Sequence, residues 1–336
     1  MNASVIVIGI AIDNNNFHVQ RNDMPWIWLL FLCFTCLSCQ PNPCSFEPYI
    51  CSATPPFLIE SLPSPFLPLT PVERTQDWGK ELFLGRLFAK EMDLYRALTC
   101  FKSALFFIPR THERRFEIEY EIFFAYYVAN KYQEAVEAFE GSHLIDAPEE
   151  FSAFHDLLIA LYDAYIKIEM PERACRILAL IEALEAETAA NLRLETAITE
   201  ADFATIVNEA AFSNSNEAVS GFLTDYFTGA KSVTKARVLN AVLPGAGYLY
   251  VGQKKSAVTS FLINALFIAA AYQLFDRGYI PAAIIVSSLE SGWYFGGING
   301  AGIEANQYNE SLYGRLAGDV LTKERLFPIL MIQKGF

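Results

Sequence analysis

The chain has 336 residues, 53% of them hydrophobic and 14% aromatic, and a formal net charge of −13. Disordered chains are poor in apolar and aromatic residues, so this composition excludes disorder throughout. Residues 72–230 carry 14 Lys/Arg against 28 Asp/Glu, and residues 231–336 carry 10 against 6; an acidic centre excludes a nucleic-acid groove, which needs clustered cations to displace counterions.

Residues 26–37 read WIWLLFLCFTCL, an uncharged run of signal-peptide length with Arg21 the only basic residue before it. It is short for a bilayer span. Ser38 and Cys39 close the run, as small residues do before signal peptidase. Cys39 resembles the lipidated cysteine of lipoprotein signals, except that Leu37 stands two positions before it instead of three. Residues 1–39 are therefore expected to be a signal peptide or an N-terminal anchor. Cys33, Cys36 and Cys39 form C-x-x-C-x-x-C, but no later Cys/His group supplies the fourth ligand that a closed site requires, so no metal and no cofactor is expected. Nine prolines lie within residues 40–71. Proline lacks an N–H and fixes φ, so residues 40–72 are expected to form neither helix nor central strand and to act as an extended linker.

From about residue 76 the apolar residues follow a helical period, and residues 73–230 are expected to be one helical domain. Leu84, Gly85, Phe88, Ala97, Phe101, Ala104 and Pro109 fall at spacings that suit two closely packed helices. Gly85 and Ala97 allow close approach, Phe88 and Phe101 fill the space between, and Pro109 ends the second helix. This pattern resembles a tetratricopeptide repeat, with Glu81 standing where the family has an aromatic. Weaker copies follow at Tyr126, Ala135 and Phe139, and at Leu161, Tyr165, Ala174 and Leu178. The alanines recur at steps of 38 and 39 residues, so the resemblance covers about residues 76–187. It implies an all-α stack of helix pairs that binds protein partners on its inner surface. Residues 188–228 are expected to cap the stack. His112, His143 and His155 lack metal spacing and read as ordinary histidines, and the run Phe123, Phe124, Tyr126, Tyr127 reads as core.

Residues 231–320 are expected to form a membrane module, with 321–336 a tail. Pro244, Gly245, Gly247, Tyr250 and Gly252 resemble the P-G-x-G-x-x-Y-x-G opening of small bacterial membrane domains, in which two apolar helices follow. Residues 256–275 are uncharged and long enough to cross the hydrocarbon core. Residues 279–303 make a second candidate, interrupted by Glu290. Gly292, Gly296 and Gly300 recur every four residues and are expected to form a helix-packing face. Ser256, Ser260 and Asn264 make a polar stripe on the first helix. Lys254 and Lys255 favour a cytoplasmic start for that helix, whereas the N-terminal signal favours a non-cytoplasmic position for the repeats.

No phosphate-cradling loop, nucleophile elbow or metal spacing is present, and Ser232-x-x-Lys235 lacks the companion motifs of a hydrolase. The sequence thus predicts a non-enzymatic, membrane-attached scaffold of the bacterial cell envelope. Its expected partners are proteins, membrane lipid and a second copy of itself, and it takes no nucleic acid. The alternative is an accessory subunit of a channel, transport or secretion assembly.

Overall fold

A computed structural model of the chain describes residues 46–50 and 56–336. The apolar run at 26–37, the cysteine triplet and Cys39 lie outside the described residues. Within them the protein is all-α, with no strand.

Four helix pairs build the body. They are α2 (Asp77–Lys90) with α3 (Leu94–Phe107), α4 (Arg115–Val128) with α5 (Tyr132–Glu140), α6 (Phe154–Lys167) with α7 (Pro171–Leu184), and α8 (Ala186–Thr199) with α9 (Phe203–Ala210). A shorter helix, α1 (Pro56–Ser61), precedes them. The same device closes every pair. Met92, Asn130, Glu169 and Ala201 each adopt a φ between 56° and 59°. The next amide then reaches back to the carbonyl five residues earlier, as in Asp93 N to Phe88 O and Asp202 N to Ala197 O, both 2.9 Å. This is a Schellman stop, which favours glycine at the left-handed position. A side chain there costs about 1–2 kcal/mol, so Ala201→Gly should raise the thermal midpoint of the helical body; an unchanged or lower midpoint would show that the turn carries no such strain.

The left-handed residues recur at steps of 38, 39 and 32. The buried small residue five positions later is Ala97, Ala135 and Ala174, and Ile206 takes that place in the last pair. The region expected to cap the stack, residues 188–228, therefore begins within a fourth pair. Its alanine is replaced and its second helix has only eight residues, which hid it in the sequence.

The first helices of the pairs form an inner row. In α4 every residue from Ile118 to Ala125 is buried, and in α6 every residue from Asp156 to Tyr165. A helix buried all round sits between two layers. One layer is the second helices of the pairs. The other comes from outside the pairs and corrects two expectations. Residues 56–69, expected to be part of an extended linker, include α1 and place Ile59, Phe66 and Leu69 in the core. Apolar residues alternate with the prolines there, and proline at the first turn of a helix costs no hydrogen bond. Residues 328–336, within the expected tail 321–336, begin with α15 (Pro328–Met331), which lies against α6, and end with Phe336 against Phe124 at 5.1 Å.

Four helices lie between α9 and the 44-residue α14 (Ile280–Lys323): α10 (Asn216–Gly229), α11 (Val233–Val242), α12 (Ala246–Val251) and α13 (Lys254–Asp276). At 1.5 Å per residue α14 is about 66 Å long. It does not stop near residue 303. Its first half packs on α13, and its second half packs on α10 and α8. Tyr313 is fully buried there, donating to the Ile198 carbonyl at 2.8 Å and meeting Phe46 and Phe222 edge to face. The expected domains 73–230 and 231–320 are thus joined through one continuous helix.

Candidate functional site

Two places concentrate features that packing alone does not require: the covered inner row of the helical body, and the segment from α11 to the first half of α14.

In the inner row, polar groups link neighbouring pairs. Tyr127 donates to Asp163 at 2.8 Å, and the Tyr162 hydroxyl lies 2.9 Å from that of Thr196. Burial pushes the Asp163 carboxyl up, and burial with the Asp163 charge pushes Glu195 up to about 7. Arg114 fastens the N-terminal strap. It is buried, bonds Glu73 and Glu117, and donates to the carbonyls of Leu67 at 3.0 Å and Pro68 at 3.3 Å. Burial opposes ionisation of Glu73, but hydrogen bonds from the Thr70 backbone and Arg114 outweigh it and hold this carboxyl at about 2. Asp156, 2% exposed, accepts the backbone amides of Gln333 at 3.2 Å and Lys334 at 2.8 Å. It also pairs with His155, whose pKa this contact raises.

The residues of the repeat-like pattern lie on α2, on α3 and in the turn after α3. Ala97, Phe101 and Ala104 have no exposure, and a Cβ on Gly85 would sit 2.5 Å from the Phe101 ring. Phe88 is half-buried, and Pro109 follows the end of α3. Leu84 departs: it is 43% exposed, and Leu82 fills the interior instead. His143 bonds Glu119 at 3.0 Å, and the His112 ring lies tilted against Trp78, with centroids 4.8 Å apart. Among the described residues no three His, Cys, Asp or Glu side chains form a group that could hold a metal.

In the second place, the P-G-x-G-x-x-Y-x-G residues make a crossing of helices. Gly245 (φ 91°) and Gly252 (φ 95°) cap the two ends of α12 in the left-handed region that glycine enters freely. Gly247 is required by space: a Cβ would lie 2.3 Å from the Ala236 carbonyl and 2.8 Å from Ala301 and Asn240. Three helices therefore meet at one glycine. Buried Asn240 accepts the Gly245 amide at 2.9 Å and fixes the turn after Pro244. The Tyr250 hydroxyl accepts the Ser232 amide at 3.2 Å, and Lys231 and Lys235 lie over its ring at 5.3 and 5.0 Å. Asn309 grips the Lys231 backbone with both ends of its amide, at 2.7 and 2.9 Å. Asn240 and Asn309 gave no sequence signal, because a lone asparagine in a helix has no pattern.

The expected glycine face divides. Within the chain Gly300 is packed, against the Tyr248 hydroxyl, and so is Gly297, near Asn240. Gly292 and Gly296 have open space beside them. They line a cavity of about 660 Å³ with Lys255, Ser256, Thr259 and Trp293. Glu290 shares its side of α14 with Tyr294, Gly297 and Ala301, at steps of 4, 3 and 4. Both its carboxylate oxygens, and the Asn264 side-chain oxygen, are buried without a hydrogen-bond partner.

Helix α13 is long and apolar enough to cross a membrane, with a mean hydropathy of 1.7, and only 11% of that stretch is buried. A core helix of a water-soluble protein would be mostly covered. Helix α14, expected to supply a second span, does not reach the same apolarity, because glycine, serine and tyrosine dilute its first half. That half nevertheless exposes Ile285, Leu289, Trp293 and Phe295, beside Val258, Leu262, Leu266 and Ile268 of α13. Compared with family models, curated proteins and solved structures, the chain matches none.

Proposed function

We propose that this protein is a non-enzymatic scaffold of a bacterial cell envelope. Its four helix pairs form a tetratricopeptide-like stack that holds protein partners, and the α13–α14 pair is a hairpin embedded in a membrane. The carrying observation is the belt of large exposed apolar side chains on α13 and the first half of α14. A contiguous patch of that kind marks a lipid or protein contact, since soluble monomers rarely expose one. The cations Lys231, Lys235, Lys254 and Lys255 gather at the end of the belt nearest the stack, with Tyr248 and Tyr250, as suits the headgroup zone. The apolar run at 26–37 supports a non-cytoplasmic stack, against the opposite preference of these lysines.

A second reading rests on Glu290 and Asn264. Unpartnered polar oxygens on the inner side of an apolar helix pair suit an accessory part of a channel or transport assembly, where an intramembrane carboxylate is functional by default.

The test is fractionation. Full-length protein expressed in a bacterial host should sediment with membranes and stay there through alkaline carbonate, and affinity capture after detergent extraction should recover proteins bound to the stack. Protease added to intact spheroplasts should cleave the exposed loops of the stack. Recovery of the intact chain in the soluble fraction would refute the membrane reading, and protection from protease would put the stack on the cytoplasmic side. Under the second reading, Glu290→Gln should abolish transport through the partner assembly without changing its composition.

A further inference from the structure

We infer that the inner row of the stack is a peptide-binding groove, that residues 332–336 occupy it in cis, and that the partner segments it accepts share their chemistry. This rests on the scaffold reading above and specifies the kind of partner. The segment is gripped mainly through its backbone. Asp156 takes two consecutive amides, those of Gln333 and Lys334, and the Gly335 amide donates to the Pro63 carbonyl at 3.0 Å. Backbone recognition of this kind does not depend on which side chains the segment carries, so specificity falls to alternate pockets. Ile332 fills one at 1% exposure, and Phe336 fills the other at 3%, between Phe101 and Phe124. Gly335 passes too close for a side chain, because a Cβ would lie 2.7 Å from the Ile59 carbonyl. The recognised pattern is therefore an apolar residue, two residues with free amides, glycine and an aromatic.

Two further observations favour a bound segment over ordinary core. A buried carboxylate is costly unless its acceptor sites are filled, and two of those on Asp156 are filled only by this segment. Charge is complementary as well. The segment brings Lys334 to a body that carries 28 acidic against 14 basic residues over 72–230.

The test severs the tether. A specific protease site is inserted at the exposed turn between Lys323 and Arg325 of the full-length, detergent-solubilised chain. After cleavage, a fluorescein-labelled peptide with the sequence of residues 326–336 is added. The labelled peptide should exchange into the cleaved chain and raise its anisotropy, and it should bind the uncut chain far less. A Phe336→Ala peptide should compete roughly tenfold or more weakly. Asp156→Ala in the cleaved chain should weaken binding to a similar degree. Should that variant misfold, the Phe336→Ala peptide on the parent chain decides alone. Aggregation of the cleaved chain, or retention of its own fragment without exchange, would overturn the inference and make the segment core. Neither of those results would alter membrane association or capture of partners by the uncut chain, so failure here is distinguishable from failure of the scaffold reading.

Discussion

Gly247→Leu should destroy the arrangement of α11, α12 and α14 while leaving the helix pairs folded. A single Cβ at this position already lies 2.3 Å from the Ala236 carbonyl, which belongs to the backbone of a helix and cannot rotate away. Alanine must therefore push two helices apart, and leucine adds three more carbons to a place with no room for one. Overpacking of this kind costs about 1–3 kcal/mol even where side chains can adapt, and here the obstacle is main chain. Limited proteolysis in detergent should cut Gly247→Leu between residues 231 and 256 and spare α2–α9. Gly296→Leu is the informative contrast. That glycine faces open space within the chain, so the variant should fold as the parent does. A loss of self-association in Gly296→Leu, read by crosslinking in membranes, would assign the open part of the glycine stripe to contact with a second copy. Parent-like resistance to proteolysis in Gly247→Leu would contradict the helix crossing.

Glu195→Gln should change how stability depends on pH. Burial, reinforced by Asp163, raises the Glu195 carboxyl from an ordinary value of 4.5 to about 7. Between those values the folded chain holds a proton that the unfolded chain has released. The folded state is therefore favoured below about 4.5, and this advantage is lost as pH rises through about 7. Glutamine keeps the hydrogen bond available to Thr199, which lies 3.2 Å away, and carries no charge. At pH 8 the variant should be more stable than the parent by about 1–3 kcal/mol, since each pKa unit corresponds to about 1.4 kcal/mol. Near pH 4.5 the two should unfold together. Urea titrations of the helical body at both pH values make the comparison, and equal stability at pH 8 would mean that Glu195 is solvated or shares its charge with an unseen partner.

Much of the helical body was legible in residue spacing. The alanine positions 97, 135 and 174 mark the three clear pairs, because close helix contacts tolerate only small residues and so leave a periodic trace. The fourth pair was not legible, since Ile206 breaks that trace and its left-handed turn is built on Ala201, a residue with no turn signature. Glycines 245, 247 and 252 announced a local constraint, and the structure supplies its cause in two left-handed caps and one close approach. What the sequence concealed was covering. Nothing in the Pro-rich stretch or in residues 328–336 shows that both lie over the inner row, because such contacts join positions far apart in the chain, 46 residues for Pro68 with Arg114 and 178 for Asp156 with Lys334, and follow no local period. The continuous α14 was hidden for a related reason: a change from apolar to polar surroundings along one helix reads, in sequence, as the end of that helix.

Where lipid touches the chain decides whether the α13–α14 pair is embedded in a membrane. Purified full-length protein is reconstituted in vesicles whose acyl chains carry a photoreactive diazirine, irradiated, digested and mapped by mass spectrometry. Adducts should concentrate on Val258, Leu262, Leu266 and Ile268 of α13 and on Ile285, Leu289, Trp293 and Phe295 of α14, with none on α2–α9. Adducts spread evenly over the helix pairs, or absent from α13, would contradict a scaffold that stands in water on a membrane-embedded helix pair.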